Sequence, residues 1–180
     1  LLADSFNRMA ASLKQDKAAL QRKVVETRTL YEIGQEIAAQ IALDPILHLI
    51  VERARALLQA EISLLALRQE VSDTFAMQAY SGIVPEALAG VRFRPGEGLG
   101  GRVVATGTPI MVGDYVAEFA DSPFLAIAQE AGLRSQVAVP LKAHNTVIGV
   151  LYAGSRVPYK FREEDRELLS ALADQAAIAI

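Results

Sequence analysis

Along the first forty residues the apolar positions fall at Leu2, Phe6, Met9 and Leu13, pass through Asp16, and resume at Leu20, Val24, Thr27 and Tyr31. The steps alternate between four and three, the spacing of a heptad seam, with one extra four-residue step, a stutter, between Leu20 and Val24. No proline and a single glycine, Gly34, occur up to Gln40, and Ala, Leu, Lys, Gln, Arg and Glu predominate, so the segment predicts one long helix. A stripe this narrow suits a two-stranded parallel coiled coil, with Leu2, Phe6, Met9, Leu13, Asp16, Leu20, Val24, Thr27 and Tyr31 as the candidate interface. Leu30, Ile33, Ile37 and Ile41 also suit packing on a sheet. A second helix is expected to begin with Asp44 as N-cap and Pro45 in the first turn, where the missing N–H is harmless. Its expected face is Ile46, Leu49, Ile50, Ala54, Leu57 and Leu58.

Beyond that helix the pattern turns to short alternating runs. "EISLLALRQE" and "TFAMQAYS" read as two strands joined around Val71–Asp73, and "GVRFRP" alternates apolar and basic residues as a strand with one wet face. "GLGGRVVATGTP" predicts a short helix stopped by Gly107, and "PIMVGD" a brief strand. "SPFLAIAQEAGL" predicts another short helix, capped at Ser122 and stopped at Gly132. "SQVAVPLKAH" and "TVIGVLYAGSR" predict a long hairpin turning at His144-Asn145, with Pro140 marking a bulge or an edge. "FREEDRELLSALADQAAIAI" predicts a final helix with Leu168, Leu169, Leu172, Ala176 and Ile180 on one face. Hairpins with helices at both ends and between them define an α+β fold: an antiparallel sheet of about six strands with flanking helices, preceded by a long N-terminal coiled-coil helix. The expected division is a linker helix over residues 1–29 and a sheet domain over 30–180.

Composition narrows the function. The 180 residues are 52% hydrophobic, enough for a real core, and the net charge of −3 with scattered basic residues offers no stripe for nucleic acid. The absence of cysteine removes disulfides, thiolate chemistry and thioether-linked chromophores. No apolar run approaches membrane-spanning length, and the first ten residues are too polar for a signal peptide.

The most suggestive motif is G-x-G-x-x-G at Gly96, Gly98 and Gly101. A dinucleotide-binding turn follows a buried parallel strand, whereas the strand here carries Arg92 and Arg94 and ends in Pro95. Arg102 and Val103 stand where a P-loop has Lys and Ser or Thr. The glycines are expected to serve a turn and a close packing before a helix.

Taken in order, "PGEGLGGRVVATGTPIMVGDY", "GLRSQVAVPLKAHNTVIGVLYAGSR" and "FREEDRELLSALADQAAIAI" resemble the consecutive signatures of a GAF domain. "LADSFNRMAASL" resembles the end of the second helix of a HAMP domain. The GAF resemblance implies a cavity between one face of the sheet and the crossing helices, with Tyr80, Phe93, Met111, Asp114, Tyr115, Phe119, Phe124, Leu133, Gln136 and Val139 as ligand candidates. Plain core is the favoured reading of Phe93, Leu133 and Val139; Asp114 reads equally as a turn cap, and Arg134 as the partner of an anion or, by preference, of a surface acid. The cyclic-nucleotide signature of the family is incomplete here, since Asn145 precedes Thr146 and Asp165 precedes Arg166. Covalent bilin attachment and the free methionine sulfoxide reductase activity of some members both need cysteines that this chain lacks. His48 and His144 are read as surface histidines, not haem ligands.

The expectation is therefore a non-catalytic, cytoplasmic sensory module with no cofactor and no nucleic-acid partner. It binds an unidentified small molecule and forms a homodimer through a parallel coiled coil, with Leu172 and Ile180 extending the interface. It relays a signal from HAMP-like input to an output domain of the histidine kinase type, in a parent anchored to the membrane by upstream segments. A ligand-free relay, its cavity filled by Met111, Phe119 and Phe124, is the alternative.

Overall fold

The computed structural model describes the backbone of residues 2–70 and 72–180, and the side chains of 14–34, 43–70 and 72–180. Leu2, Phe6, Met9 and Leu13 of the candidate seam, Ile37 and Ile41, and the turn residue Val71 lie outside the described side chains. The chain divides into two units, Leu1–Ala42 and Leu43–Ile180. In the first, residues 14–34 are helical, and Leu20, Val24 and Tyr31 are all more than half exposed, with Asp16 and Thr27 exposed beside them.

One helix, α1 (Leu2–Leu57), replaces the two that the sequence suggests, and Pro45 lies inside it. Asp44 and Pro45 have the chemistry of a helix start but do not act as one here. Within the second unit α1 buries Leu47, Ile50, Val51 and Ala54, with Leu58 buried just past its end, leaving Ile46, Leu49 and Leu57 at the surface. The expected face is thus corrected by a small rotation: Leu47, Val51, Ala54 and Leu58 follow one another at steps of four and three.

Six antiparallel strands form one sheet in the order β3-β2-β1-β6-β5-β4. They are β1 (Ile62–Arg68), β2 (Phe75–Gly82), β3 (Arg92–Phe93), β4 (Ile110–Val112), β5 (Ser135–Ala143) and β6 (Thr146–Ser155). The long central strands are apolar on both faces because both are covered, and the two edges are only two and three residues long, which leaves little backbone open to stray pairing. The β5–β6 hairpin turns at His144 and Asn145, both with positive φ (47° and 65°), as a two-residue turn requires. Pro140 lies beyond the last β4 pairing at Ala138, so no β4 neighbour asks for the N–H it lacks. A bulge opposite Leu65 and Ala66 leaves Gln78 out of register. It puts Met77 on one face of the sheet and Ala79 on the other.

Each face carries its own core. On one, α1 and α6 (Glu163–Ala179) pack over Leu65, Val137, Val139, Leu141, Leu151 and Ala153. On the other lie α2 (Glu86–Ala89), α3 (Gly98–Thr106), α4 (Tyr115–Glu118) and α5 (Leu125–Glu130), over Leu64, Ala66, Ala138, Val150 and Tyr152. In α6 the buried positions are Leu169, Ala173 and Ala176, with Leu172 packed against the same core, while Leu168 faces outward. The start of α6 is fixed by Asp165, whose carboxylate accepts the Arg162 N–H at 2.8 Å, and by the buried Phe161.

Candidate functional site

The glycine turn sets the floor of the site. Gly96 and Gly98 adopt φ of 90° and 60°, which L-residues avoid, and a Cβ on Gly101 would sit 2.3 Å from the Arg94 carbonyl oxygen. A Cβ on Gly100 would meet the Tyr152 hydroxyl and the Phe93 ring. The motif therefore lets α3 approach the sheet closely enough for two aromatic side chains to touch its backbone. That is the turn and packing role the sequence indicates.

Above this contact lies a cavity of about 40 Å³, room for roughly three water molecules or a ligand of a few heavy atoms. Leu64, Met77, Phe93 and Tyr152 line it from the strands, with Val91, Leu133 and Gln136 at strand ends; Leu88, Leu99, Gly100, Tyr115, Phe124 and Ala128 close it from the helical side. None of these side chains carries a charge. Phe93 is stacked on Phe75, with ring centroids 5.5 Å apart, and Tyr115 on Phe119 at 5.0 Å. Arg102 lies 4.5 Å over the outer face of Phe119.

Three polar groups interrupt the apolar lining. The Tyr115 hydroxyl pairs with Ser122 Oγ at 3.1 Å, and Ser122 Oγ in turn accepts the Phe124 N–H. Burial raises the Tyr115 phenol above its usual range despite that hydrogen bond, and raises the buried Tyr152 phenol further. Both are neutral at physiological pH. The Tyr152 hydroxyl and the Gln136 amide have no hydrogen-bond partner among the described residues, although Tyr152 is 5% and Gln136 6% exposed.

At the rim, Asp114 caps α4 by accepting the Val116 N–H and forms a two-point pair with Arg134, Nε to Oδ1 at 3.1 Å and Nη2 to Oδ2. The Arg134 guanidinium holds the Asp114 carboxyl below the usual carboxylate range. The Tyr115 N–H donates to the Arg134 carbonyl at 2.6 Å, so the start of α4 is tied to the segment entering β5 by backbone as well as by charge. Arg134 is satisfied by this acid, the plainer of its two sequence readings.

Of the ligand candidates, Phe93, Tyr115, Phe124, Leu133 and Gln136 come together around the cavity. Phe119 is buried behind Tyr115, and Asp114 stays at the rim. Val139 belongs to the opposite face of the sheet, one position along from Ala138, so it does not line the cavity. Tyr80, opposite Leu64 on β2, and Met111 on the β4 edge are partly exposed and do not line it either. Phe124 fills the place the relay alternative gives it, while Met111 faces outward. Tyr115 and Phe119 are buried core residues. Tyr152 was missed by the sequence reading. Its signal was alternation: in "VLYAGS" it shares a face with Val150.

An antiparallel six-stranded sheet with a helix-covered cavity on one face and terminal helices on the other defines an α+β domain built around a small enclosed site. The family model "GAF domain" matches residues 42–180, and the chain belongs to that family. Among curated proteins, the Nif-specific regulatory protein of Herbaspirillum seropedicae is 29% identical over 154 residues, 83% of this chain and 28% of that protein. The HTH-type transcriptional activator RamA of Corynebacterium glutamicum is 43% identical over 74 residues, 41% of this chain and 26% of that protein. The chain thus spans about a quarter of the length of these relatives. Among solved structures, the free methionine-R-sulfoxide reductase of Neisseria meningitidis, in complex with its substrate, aligns at 26% identity and a TM-score of 0.62, covering 73% of this chain and 74% of that one. The GAF domain of a phosphoenolpyruvate-protein phosphotransferase from Coxiella burnetii aligns at 25% identity and a TM-score of 0.64, covering 83% and 88%.

Proposed function

We propose that this GAF domain is the non-catalytic sensory module of a longer regulatory protein, in which a small molecule held in the cavity biases the arrangement of α1 and α6. The observation that carries the reading is the alternation of side chains along the shared strands. Leu64, Tyr152 and Gln136 face the cavity, and their immediate neighbours Leu65, Leu151 and Val137 pack on the α1–α6 layer. A strand shift that accommodates a ligand is transmitted to the helices directly, since close-packed layers respond by shifting between discrete packings. A ligand drives that shift only by the difference in its affinity for the two arrangements.

The exposed apolar seam at Leu20, Val24 and Tyr31 supports a parallel homodimer of α1, and the reading adds Leu172 and Ile180 at the C-terminal end of the chain to that interface. Asp16 at a seam position would keep that coil shallow and switchable. The regulators among the relatives support an output outside this chain. The HAMP-like stretch Leu2–Leu13 favours a membrane receptor of the histidine kinase type as the parent, with this domain on the cytoplasmic side and no nucleic-acid contact of its own. Among the described residues no helix is long and apolar enough to cross a membrane, so the anchor in this reading belongs to upstream segments. The lack of cysteine supports a binding role over the reductase chemistry of the Neisseria enzyme.

The test is native mass spectrometry of the gently purified chain against its denatured mass. A dimer carrying a defined small adduct is the expected result. A dimer that never carries an adduct, even after exposure to cell metabolite extracts, would favour the ligand-free relay, and a monomer would remove the coiled-coil half of the proposal.

A further inference from the structure

Two side chains in the cavity wall are polar, more than nine-tenths buried, and unserved by any protein group: the Tyr152 hydroxyl and the Gln136 amide. They sit on adjacent strands of the hairpin, and register puts both on the cavity face. Gln136 lies two positions before Ala138 along β5, and Ala138 is the direct partner of Tyr152 on β6. The one fully buried side-chain polar atom without a hydrogen-bond partner among the described residues is Glu61 Oε2; the Tyr152 and Gln136 polar atoms keep a trace of accessible surface, as groups lining a cavity do, and two unpaired in one small cavity mark the complement of a ligand's own polar end. The Tyr115 hydroxyl, anchored to Ser122, is a third group at the same wall.

The charge of that ligand follows from what is missing around the site. No lining side chain is charged, and a buried ion without a counter-ion is strongly disfavoured. Arg102 is engaged over Phe119 and does not line the cavity. Helix α3 starts at the wall, with Leu99 and Gly100 in the lining, but its terminus supplies only about half a positive charge. The available groups are two neutral phenols and an amide, which together both donate and accept. Resting on the sensory reading above, we infer that the ligand is a small uncharged molecule of a few heavy atoms, with an amide- or carbonyl-like polar end toward Gln136 and Tyr152 and an apolar end toward Phe124 and Leu133.

Acetamide and acetate test this directly, because they have nearly the same shape and differ in charge. In the full-length chain, labelled with ¹⁵N and titrated at neutral pH and constant ionic strength, acetamide is expected to shift the Gln136 side-chain amide and the Gly100 backbone amide saturably, with an affinity in the millimolar range that suits so few atoms. Acetate should leave both signals in place. Tyr152→Phe should weaken acetamide binding by about three- to tenfold, the worth of one hydrogen bond. It should also melt no lower than the parent, since the hydroxyl it removes has no protein partner; a purely structural hydroxyl would give the opposite. Gln136→Leu provides the same readout should Tyr152→Phe fail to fold. Acetate binding as well as acetamide would overturn the neutral-ligand assignment in favour of an anion site. If neither probe shifts the signals, the inference fails. A defined adduct in native mass spectrometry would then leave the sensory reading standing with a different ligand class, and no adduct would sink both.

Discussion

Asp114 carries three contacts within one turn: it caps α4, it pairs with Arg134 at two points, and its own N–H is held by Glu118. Because the guanidinium lowers its pKa in the folded state, the pair stabilises the protein at any pH above the unfolded carboxyl's pKa, and that contribution is lost as pH falls through the lower folded value. Asparagine can still cap a helix, so Asp114→Asn removes the charge and spares the cap. The melting temperature of Asp114→Asn should lie below that of the parent at pH 7, with the gap beginning to close below about pH 4 and vanishing in stronger acid. A gap that persists unchanged at pH 3 would assign the role to packing. The residue scale was partly legible in the sequence. The glycines were, since proline, arginine and glycine in one short run exclude a nucleotide turn and leave a packing role, and Gly101 against the Arg94 carbonyl meets it. The Asp114–Arg134 pair was not, because twenty residues separate the partners and only the fold brings them together.

At the scale of elements, α6 offers an internal control. Leu168 and Leu169 are neighbours of the same type, one 45% exposed and one fully buried against the α1–sheet core. Leu169→Ala should lower the unfolding free energy by about 2 to 5 kcal/mol, the cost of a cavity in a packed core, while Leu168→Ala should change it by less than about 0.5 kcal/mol. Urea denaturation of both variants reads the difference. Equal losses would mean that Leu168 is buried in a solution assembly. The sequence pattern located this helix and every strand, because period and turn chemistry agreed at each of them: the positive-φ pair His144-Asn145 and the Gly107 stop are examples. It did not find α2 or α4, each four residues long and shorter than the period that would reveal it. It placed half of the buried face of α1: Ile50, Ala54 and Leu58 are buried as expected, while Ile46, Leu49 and Leu57, as apolar as the buried Leu47 and Val51, lie at the surface. Which stripe faces the sheet is decided by packing, not by hydrophobicity.

For the whole molecule, the question is what residues 1–42 contribute to residues 43–180. Pro45 bears on it. Inside a continuous helix a proline forfeits a backbone hydrogen bond and crowds the preceding turn, at a cost of about 3 kcal/mol or more, whereas in the first turn it costs nothing. A chain cut to residues 43–180 would place Asp44 at the N-cap and Pro45 just inside it, the helix start that the sequence by itself suggests. Such a chain retains both cores, the cavity and all six strands. Its melting midpoint should therefore stay within about 3 °C of the full chain's second unit, a shift equivalent to less than roughly 1 kcal/mol. The proposed dimer predicts by light scattering a dimer for residues 1–180 and a monomer for residues 43–180, since the Leu20, Val24 and Tyr31 seam is gone from the latter. Dimerisation that survives the cut would move the interface to the exposed residues of α1 and α6 within the GAF domain, Leu49, Leu57, Leu168 and Ile178. A monomer with an unchanged midpoint would instead separate the two tasks along the chain, with association in the entering helix and ligand recognition in the domain that follows. A signal passing between them along α1 would cross the segment around Pro45, where the helix is easiest to break.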